Sequence, residues 1–193
     1  MGATKSKYAT TKMTLPQGQI IIPNARLSFP KLFKAEAVKG DPNAKPRYGC
    51  QILLPKSDKE TRKKIEAEMD LLVKTKLDGV KPKAKDLFIK DGDGEDGDEL
   101  TKGYWVISAN RSESQGRPQV IDRSKKAIDS SESSKVYGGC QCNFLIGLYV
   151  PKQWKKLCAS LEIVQFVRDD EPFGSGPADT SVMPELEDLD DEP

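Results

Sequence analysis

The segment from Val136 to Val150 reads Val-Tyr-Gly-Gly-Cys-Gln-Cys-Asn-Phe-Leu-Ile-Gly-Leu-Tyr-Val, and its side chains alternate in character. One face would carry Cys140, Cys142, Phe144, Ile146 and Leu148. The other face would carry Gln141, Asn143 and Tyr149. A period of two residues over this length predicts a long β-strand with one buried face. Such a strand, dry on one side and polar on the other, suits a small barrel with a binding surface.

Stretches on both sides of this segment predict partner strands. Each alternates with period two or forms a short apolar run: Gln19–Phe29, Arg47–Pro55, Gly103–Asn110, Arg117–Asp122 and Leu161–Val167. In the first of them, Ala25, Leu27 and Phe29 alternate against Arg26 and Ser28. Pro23 and Pro30 cannot donate a backbone hydrogen bond, so we expect them at bulges, edges or strand ends.

One helix is predicted between the second and third strands. Ser57-Asp-Lys-Glu60 has the pattern of a capping box and would begin the helix. Apolar residues then recur at helical spacing: Ile65, Met69, Leu72, Val73 and Leu77. Gly79 follows as a stop signal. Five or more strands and a single helix predict a mainly β, barrel-like domain.

Composition divides the 193 residues into a basic body and an acidic end. Residues 169–193 hold ten acids and no Lys or Arg, and the other 168 residues carry a net charge of +11. We expect a disordered arm at residues 1–18, one domain at residues 19–176 and a disordered acidic tail at residues 177–193. A basic body attached to an acidic tail indicates a surface for a polyanion and a segment that competes for it.

Metal and cofactor sites are not predicted. Cys140 and Cys142 point to the same buried face of a strand, which favours core thiols over zinc ligands. The acidic segment Asp91–Glu99 resembles a calcium loop, but Asp96 stands where the EF-hand pattern requires glycine. We therefore expect this segment to be a solvated loop without fixed structure, and we expect the protein to use no cofactor.

The sequence argues against an enzyme. It contains no histidine, the commonest general base, and it has no phosphate-binding loop, nucleophile elbow or dinucleotide-binding glycine pattern. The first 18 residues lack the apolar core of a signal peptide, and no apolar run approaches membrane-spanning length. Together with four cysteines and no secretion signal, this predicts a non-catalytic protein of the cytoplasm, with no membrane partner.

Binding of a single-stranded nucleic acid fits the residues best, because such proteins combine basic grooves with aromatic faces on which bases stack. Tyr137, Tyr149 and Trp154 lie near strand ends or on a polar face, whereas Tyr48 and Trp105 can be either stacking platforms or core residues. The candidate contacts are Arg26, Lys45, Arg47, Tyr48, Tyr104, Trp105, Arg111, Arg117, Tyr137, Tyr149, Lys152 and Trp154. Stacking does not distinguish DNA from RNA. A protein–protein adaptor that works through its acidic tail is the alternative.

Five motifs, in order along the chain, resemble a bacteriophage single-stranded-DNA-binding protein family that was once catalogued as a domain of unknown function. They are Ala25-Arg-Leu-Ser-Phe-Pro-Lys-Leu-Phe33, Tyr48–Lys56 with its terminal Leu-Leu-Pro-Lys, Arg117-Pro, Tyr137-Gly-Gly-Cys140 and Val164-Gln-Phe-Val-Arg-Asp169. The resemblance covers about residues 19–176. It implies an oligonucleotide/oligosaccharide-binding (OB) barrel, a host-cell cytoplasmic location and a protein that coats single-stranded DNA during phage replication or recombination.

The acidic end Pro184-Glu-Leu-Glu-Asp-Leu-Asp-Asp-Glu-Pro193 is similar to the tails of replication single-strand-binding proteins. The resemblance implies that it competes with DNA for the groove or docks replication or recombination enzymes. It lacks the terminal phenylalanine of those tails, which favours competition over docking. A tail that only increases solubility is the simpler alternative.

Overall fold

The structure, a computed structural model, describes residues 15–37, 40–41 and 43–174, so the predicted tail and most of the predicted arm lie outside it. Seven β-strands occur in this part of the chain: β1 (Gln19–Glu36), β2 (Arg47–Pro55), β3 (Ile89–Asp91), β4 (Tyr104–Ser112), β5 (Gln119–Ile121), β6 (Gln141–Tyr149) and β7 (Cys158–Arg168). The same part contains one α-helix, α1 (Lys59–Lys76), and three 3-10 helices at Ala84–Asp86, Glu113–Gln115 and Ser130–Lys135.

Five of the strands form a closed barrel. β1 pairs antiparallel with both β2 and β6, β2 pairs with β4, and β6 pairs with β7. The ring closes where β4 and β7 run parallel, with Ala109 beside Ala159 and Asn110 beside Ser160. β3 and β5 are short additions to β4 and β7. The predicted mainly β barrel with one helix is confirmed, and the five-stranded barrel is that of the OB-fold.

The central strand β6 has the predicted faces and is shorter than predicted. Its even-numbered residues from Cys142 to Leu148 are at most 6% exposed, and Cys140 just before them is fully buried. Cys140 and Cys142 are free thiols with their Sγ atoms 3.6 Å apart, which confirms the prediction of core cysteines. Residues 136–140 form a bend and a turn instead of strand. Gly139 has φ +114°, and a Cβ there would lie 2.3 Å from the Glu171 carbonyl oxygen.

Both prolines of β1 lie at bulges, one of the three kinds of position predicted for them. The pairing of β1 with β6 shifts between Ile22 and Ala25, around Pro23. Its pairing with β2 shifts between Ser28 and Lys31, around Pro30.

The second bulge also overturns one prediction, because Phe29 is not on the buried face. Its ring is 67% exposed and its φ is +44°, whereas the preceding Ser28 is 4% exposed. The strict alternation of a strand ends at the extra residue of a bulge, so the inward and outward positions exchange there.

The helix α1 closes the core beneath the barrel. Ile65, Met69 and Val73 are buried in the same apolar cluster as the inner faces of the strands, as predicted. The predicted stop is also confirmed, since Gly79 has φ +79° and donates its N–H to the Val73 carbonyl oxygen at 3.0 Å.

The prediction that the helix cap is Ser57 is wrong by one residue. Asp58 is the N-cap, and its Oδ1 accepts the N–H of Thr61 at 3.0 Å. Asp58 lies three residues before Thr61, which is the spacing that a capping side chain requires, whereas Ser57 lies one residue too early.

This assignment of the cap can be tested by substitution. Asp58→Ala removes the acceptor for the Thr61 N–H, so we expect the free energy of unfolding to fall by about 1 kcal/mol in urea denaturation. Ser57→Ala is the matched control and should change stability by a few tenths of that value, because Ser57 is exposed and does not cap the helix. Equal losses in the two variants would show that the cap is misassigned.

Candidate nucleic-acid interface

Strand pairing brings four strand ends together on the barrel. The beginning of β2 lies beside the end of β4, with Arg47 opposite Ser112 and Tyr48 opposite Arg111. The end of β4 pairs with the beginning of β7, and the beginning of β7 pairs with the end of β6 at Tyr149. We call Arg47, Tyr48, Arg111 and Tyr149 the strand-end cluster. Four residues predicted as nucleic-acid contacts, from three distant parts of the sequence, therefore lie in one region.

Two loops add further predicted residues to this region. The loop before β2 carries Lys45, which is exposed, and the loop from β6 to β7 carries Lys152 and Trp154. The Trp154 ring is 61% exposed, and the Lys156 Nζ lies 5.4 Å from its centroid. An exposed indole next to ammonium groups can stack on a base while the lysines contact phosphates.

The two basic side chains of the strand-end cluster differ in their partners. Arg111 forms an ion pair with Glu162 and donates to the carbonyl oxygens of Gly116 and Gln115 at 3.0 and 3.2 Å. Its guanidinium is therefore fixed by the protein. Arg47 is exposed, and no carboxylate in the described part of the chain forms an ion pair with it. Arg47 is accordingly better placed than Arg111 to contact a phosphate.

Tyr149 has a neutral phenol with an accessible face. Its side chain is 44% exposed. Burial of the remaining part raises the pKa of Tyr149, and Cys158 adds to the increase, whereas the positive charge of Arg47 lowers it. A phenol whose pKa is raised above its ordinary value is protonated at neutral pH, so the side chain presents an uncharged ring.

Arg26 and Tyr137 lie elsewhere, under the segment that leads to the acidic end. The Arg26 Nε donates to the Gly139 carbonyl oxygen at 3.1 Å and lies 3.7 Å from Asp170, and its guanidinium stacks 4.3 Å from the centroid of Phe173. The Tyr137 hydroxyl donates to Asp169 and Asp170 oxygens, each at 3.0 Å. The structure thus places both predicted contacts against residues 169–173 of the protein itself.

Two of the three remaining predicted residues lie away from the strand-end cluster. Tyr104 and Trp105 lie at the opposite end of β4, paired with Pro55 and Leu54. Trp105 is half-buried against the core, with the Arg62 guanidinium 4.5 Å from its ring. Arg117 is exposed and lies 3.6 Å from Asp129. Trp105 therefore packs against the core, which is one of the two roles left open for it.

A groove that sequence reasoning missed lies on the outer face of β1, β2 and β4. Its volume is about 200 Å³. Ser28, Gln51 and Ser108 line it in one row across the three strands, and Phe29 stands at its side. The only sequence signal was Pro30, because a proline inside a strand indicates a bulge at which facing residues exchange sides.

The acidic loop, Asp91–Lys102, lies over this groove and is folded, which corrects the expectation of a loop without fixed structure. The ammonium group of Lys56 pairs with Asp91 and with Asp93, the latter at 2.5 Å. The Asp98 Oδ1 accepts the N–H groups of Leu100 and Thr101 at 2.9 and 3.0 Å. Hydrogen bonding from Lys56 is the main cause that lowers the pKa of Asp91 and of Asp93, so both carboxylates are charged at neutral pH.

The described residues lack two features that would indicate other functions. No group of three or more Cys, Asp or Glu side chains converges there in a way that could hold a metal ion. None of the helices in residues 15–174 combines the length and the apolar character needed to span a membrane.

Comparison with solved structures gives a match to the single-stranded DNA-binding protein of bacteriophage Enc34 in complex with single-stranded DNA. The identity is 32%, the match covers 81% of this chain and 90% of the other, and the TM-score is 0.70. Gp2.5, a single-stranded DNA-binding protein of bacteriophage T7, is 13% identical with a TM-score of 0.51 over 88% of this chain and 98% of its own, and it supports the fold alone.

A curated relative matches over a similar length. It is the putative protein p50 of Acyrthosiphon pisum secondary endosymbiont phage 1, 28% identical over 168 residues, which cover 82% of this chain and 88% of the relative. The family model described as "Enterobacter phage Enc34, ssDNA-binding protein" matches residues 18–192 and confirms the resemblance seen in the motifs. This chain therefore belongs to the Enc34 family of phage single-stranded-DNA-binding proteins.

Proposed function

We propose that this protein binds single-stranded DNA without catalysing a reaction, and that it coats and protects the strand during phage DNA replication or recombination. The observation that carries the proposal is the match, at 32% identity over 81% of the chain, to a relative solved with single-stranded DNA bound. The strand-end cluster and its two loops supply the elements that such binding requires, namely exposed aromatic faces and three exposed cations, Lys45, Arg47 and Lys152, that form no ion pair in the described part of the chain.

In this proposal, electrostatic attraction binds the phosphates of the strand and aromatic stacking binds its bases. Lys45, Arg47 and Lys152 are exposed and contact the phosphates. Trp154 and Tyr149, the two most exposed aromatic side chains of this region, stack on bases. Neither kind of contact reads base sequence, so the protein binds strands of any sequence, as a coating protein must.

Salt dependence tests the phosphate contacts. Each contact to a single strand contributes about −0.7 to the slope of log affinity against log salt concentration. The Arg47→Gln/Lys152→Gln variant loses two contacts, so we expect its slope to be less steep by about 1.4 in titrations with fluorescent oligothymidylate.

The matched control is Lys74→Gln, which removes an exposed charge from the surface of α1. It should leave the slope unchanged. A wild-type affinity that does not respond to salt, or an absence of binding at low salt, would contradict the nucleic-acid proposal and favour the adaptor. Parallel titrations with RNA and duplex DNA measure the selectivity for single-stranded DNA.

Substitution of aromatic residues tests the stacking contacts. Trp154→Ala and Tyr149→Ala should each weaken binding to oligothymidylate by about 1–3 kcal/mol, because each removes one base platform. Their melting temperatures should stay near that of the wild type, since both side chains are substantially exposed.

Trp105→Ala is the contrasting variant. Trp105 packs against the core under Arg62, so its removal should lower the melting temperature while the folded protein still binds DNA. If Trp154→Ala instead unfolds the protein and leaves the affinity of the folded fraction intact, Trp154 belongs to the structure and not to the DNA site. Tyr48→Ala, measured in the same way, decides between the two roles left open for Tyr48.

We also propose that the acidic tail competes with DNA for the DNA site. Residues 179–193 carry seven acids and no base, and they are joined to a body with a net charge of +11. A tethered polyanion can reach an effective concentration in the millimolar range at a nearby basic surface. It therefore occupies the DNA site in a fraction of the molecules and lowers the apparent affinity.

Deleting residues 177–193 should tighten binding to oligothymidylate, and the gain should be larger at low salt, because salt screens the attraction of the tail to the body. Stability should change little. If the truncated protein binds no more tightly at low salt, the tail does not compete with DNA. Loss of a co-purifying polymerase or nuclease on truncation, with DNA affinity unchanged, would assign the tail to partner docking.

A further inference from the structure

The middle of the wall formed by β1, β6, β7 and β5 has an outer face that carries none of the proposed DNA contacts. Strand pairing aligns its outward-pointing side chains in two adjacent rows. We call these seven residues the neutral face: Ile21, Leu145, Ile163 and Gln119 in one row, and Asn143, Gln165 and Ile121 in the next. Ile21 is 50% exposed, and Leu145 and Ile163 are half-buried. Branched apolar side chains from three strands therefore reach solvent side by side.

The two amide side chains in the middle of this face have their hydrogen bonds within the chain. The Asn143 Nδ2 donates to the Gln165 Oε1 at 3.0 Å, and the Asn143 Oδ1 accepts the N–H of Asn24 at 3.0 Å. The Gln165 Nε2 donates to the Asp122 carbonyl oxygen at 3.3 Å. Removing water from polar groups that already have partners costs little. The face can therefore be covered by an apolar surface without leaving an amide unpaired.

None of the seven side chains is charged, although Asp, Glu, Lys and Arg make up 32% of the sequence. The nearest charged side chains of β7 lie outside the two rows. Glu162 forms an ion pair with Arg111, and the Arg168 guanidinium donates to the Gln141 Oε1 at 3.0 Å. The buried centre of a protein–protein interface is depleted of charged residues and rich in apolar groups. The neutral face has this composition.

A second copy of this chain is the partner whose chemistry fits the face. In a two-fold contact a surface patch meets its own copy, so any charge in the patch would oppose a like charge. The neutral face avoids that repulsion, whereas two basic bodies, each with a net charge of +11, would repel each other across most other surfaces. A nucleic acid or a strongly charged protein would find no opposite charge on the face.

The size of the face indicates how strongly two copies would associate. Four strands about 4.8 Å apart and two rows about 6.6 Å apart cover roughly 250 Å². A stable dimer buries about 800 Å² on each partner. A contact centred on this face is therefore weak, and it forms where copies are concentrated.

We propose that the neutral face is a self-association surface, through which two copies of this chain form a weak two-fold pair. The pairing itself is independent of the proposed function, because it needs no DNA. Its consequence on DNA rests on the proposed function: two copies bound to one strand are held at a high effective concentration, so the weak contact forms there and binding of the second copy is strengthened.

Sedimentation equilibrium of the full-length protein without DNA measures the pairing. The average mass of the wild type should rise from one copy towards two as the concentration increases from the micromolar into the millimolar range. Ile21→Glu puts a like charge into both halves of the contact and should weaken pairing at least about tenfold. Its melting temperature should stay near that of the wild type, because Ile21 is half exposed. Gln119→Glu adds a charge at an exposed position with little change of shape, and it should weaken pairing as well.

Val80→Glu is the matched control. It adds the same charge in place of an apolar side chain that is 61% exposed and lies outside the neutral face, so it should pair like the wild type. A wild type that keeps the mass of one copy at every concentration would overturn the proposal, as would pairing that neither Ile21→Glu nor Gln119→Glu weakens. Pairing that is lost at high salt and on deletion of residues 177–193 would assign the contact to the acidic tail instead.

A second experiment follows pairing on DNA by counting the copies bound to oligothymidylates that hold one copy or two. On the longer strand, the second wild-type copy should bind more tightly than the first, whereas two copies of Ile21→Glu should bind with equal affinity. On the shorter strand, Ile21→Glu and Val80→Glu should have the same affinity. If the wild type binds no oligothymidylate, the proposed function fails while sedimentation still decides the pairing. If Ile21→Glu loads its second copy as tightly as the wild type, pairing does not act on the strand.

Discussion

The parallel pairing of β4 with β7 is the interaction on which the rest of the barrel depends. It joins only two residue pairs, Ala109 with Ala159 and Asn110 with Ser160. The two alanines are 0% and 3% exposed, and their small side chains allow the two strands to approach each other. Without this contact the sheet would stay open, and its two halves would present separate edges.

Closure of the barrel also creates the candidate interface. The end of β4 is held beside the beginning of β7, and this pairing brings Arg47 and Tyr48 of β2 into the region of Tyr149 at the end of β6. A site assembled in this way is positioned by strand ends, which are rigid, and is completed by loops, which can adapt to the ligand. At the second bulge of β1, the interrupted alternation turns the Phe29 ring outwards, next to Ser28 on the outer face of the sheet.

The molecule contains two acidic segments, the acidic loop and the acidic end. The acidic loop is folded: its carboxylates bind Lys56 and accept backbone N–H groups, so their charge is fixed in place. The first residues of the acidic end, Asp169 and Asp170, also have defined partners in Tyr137, Gln141 and Arg26. Negative charge is thus present both in the folded acidic loop and at the start of the acidic end. At each of these two places it limits where the phosphates of a bound strand can lie.

The sequence by itself determined the barrel class, the two faces of β6, both ends of β2, the buried stripe of α1 and the absence of regular strand pairing at Pro23 and Pro30. These features follow from local periodicity and from the absent N–H of proline, which act within a few residues. The sequence also identified Arg47, Tyr149 and Trp154 as candidate contacts, but it could not bring them together. Only the tertiary structure decided that grouping, because it depends on the pairings of β2 with β4 and of β4 with β7, which join residues more than 40 positions apart in the sequence. It also decided that Phe29 faces outwards, that Asp58 caps the helix and that the acidic loop folds over a groove, because a bulge, a hydrogen bond to one particular amide and an ion pair to Lys56 each override the local pattern.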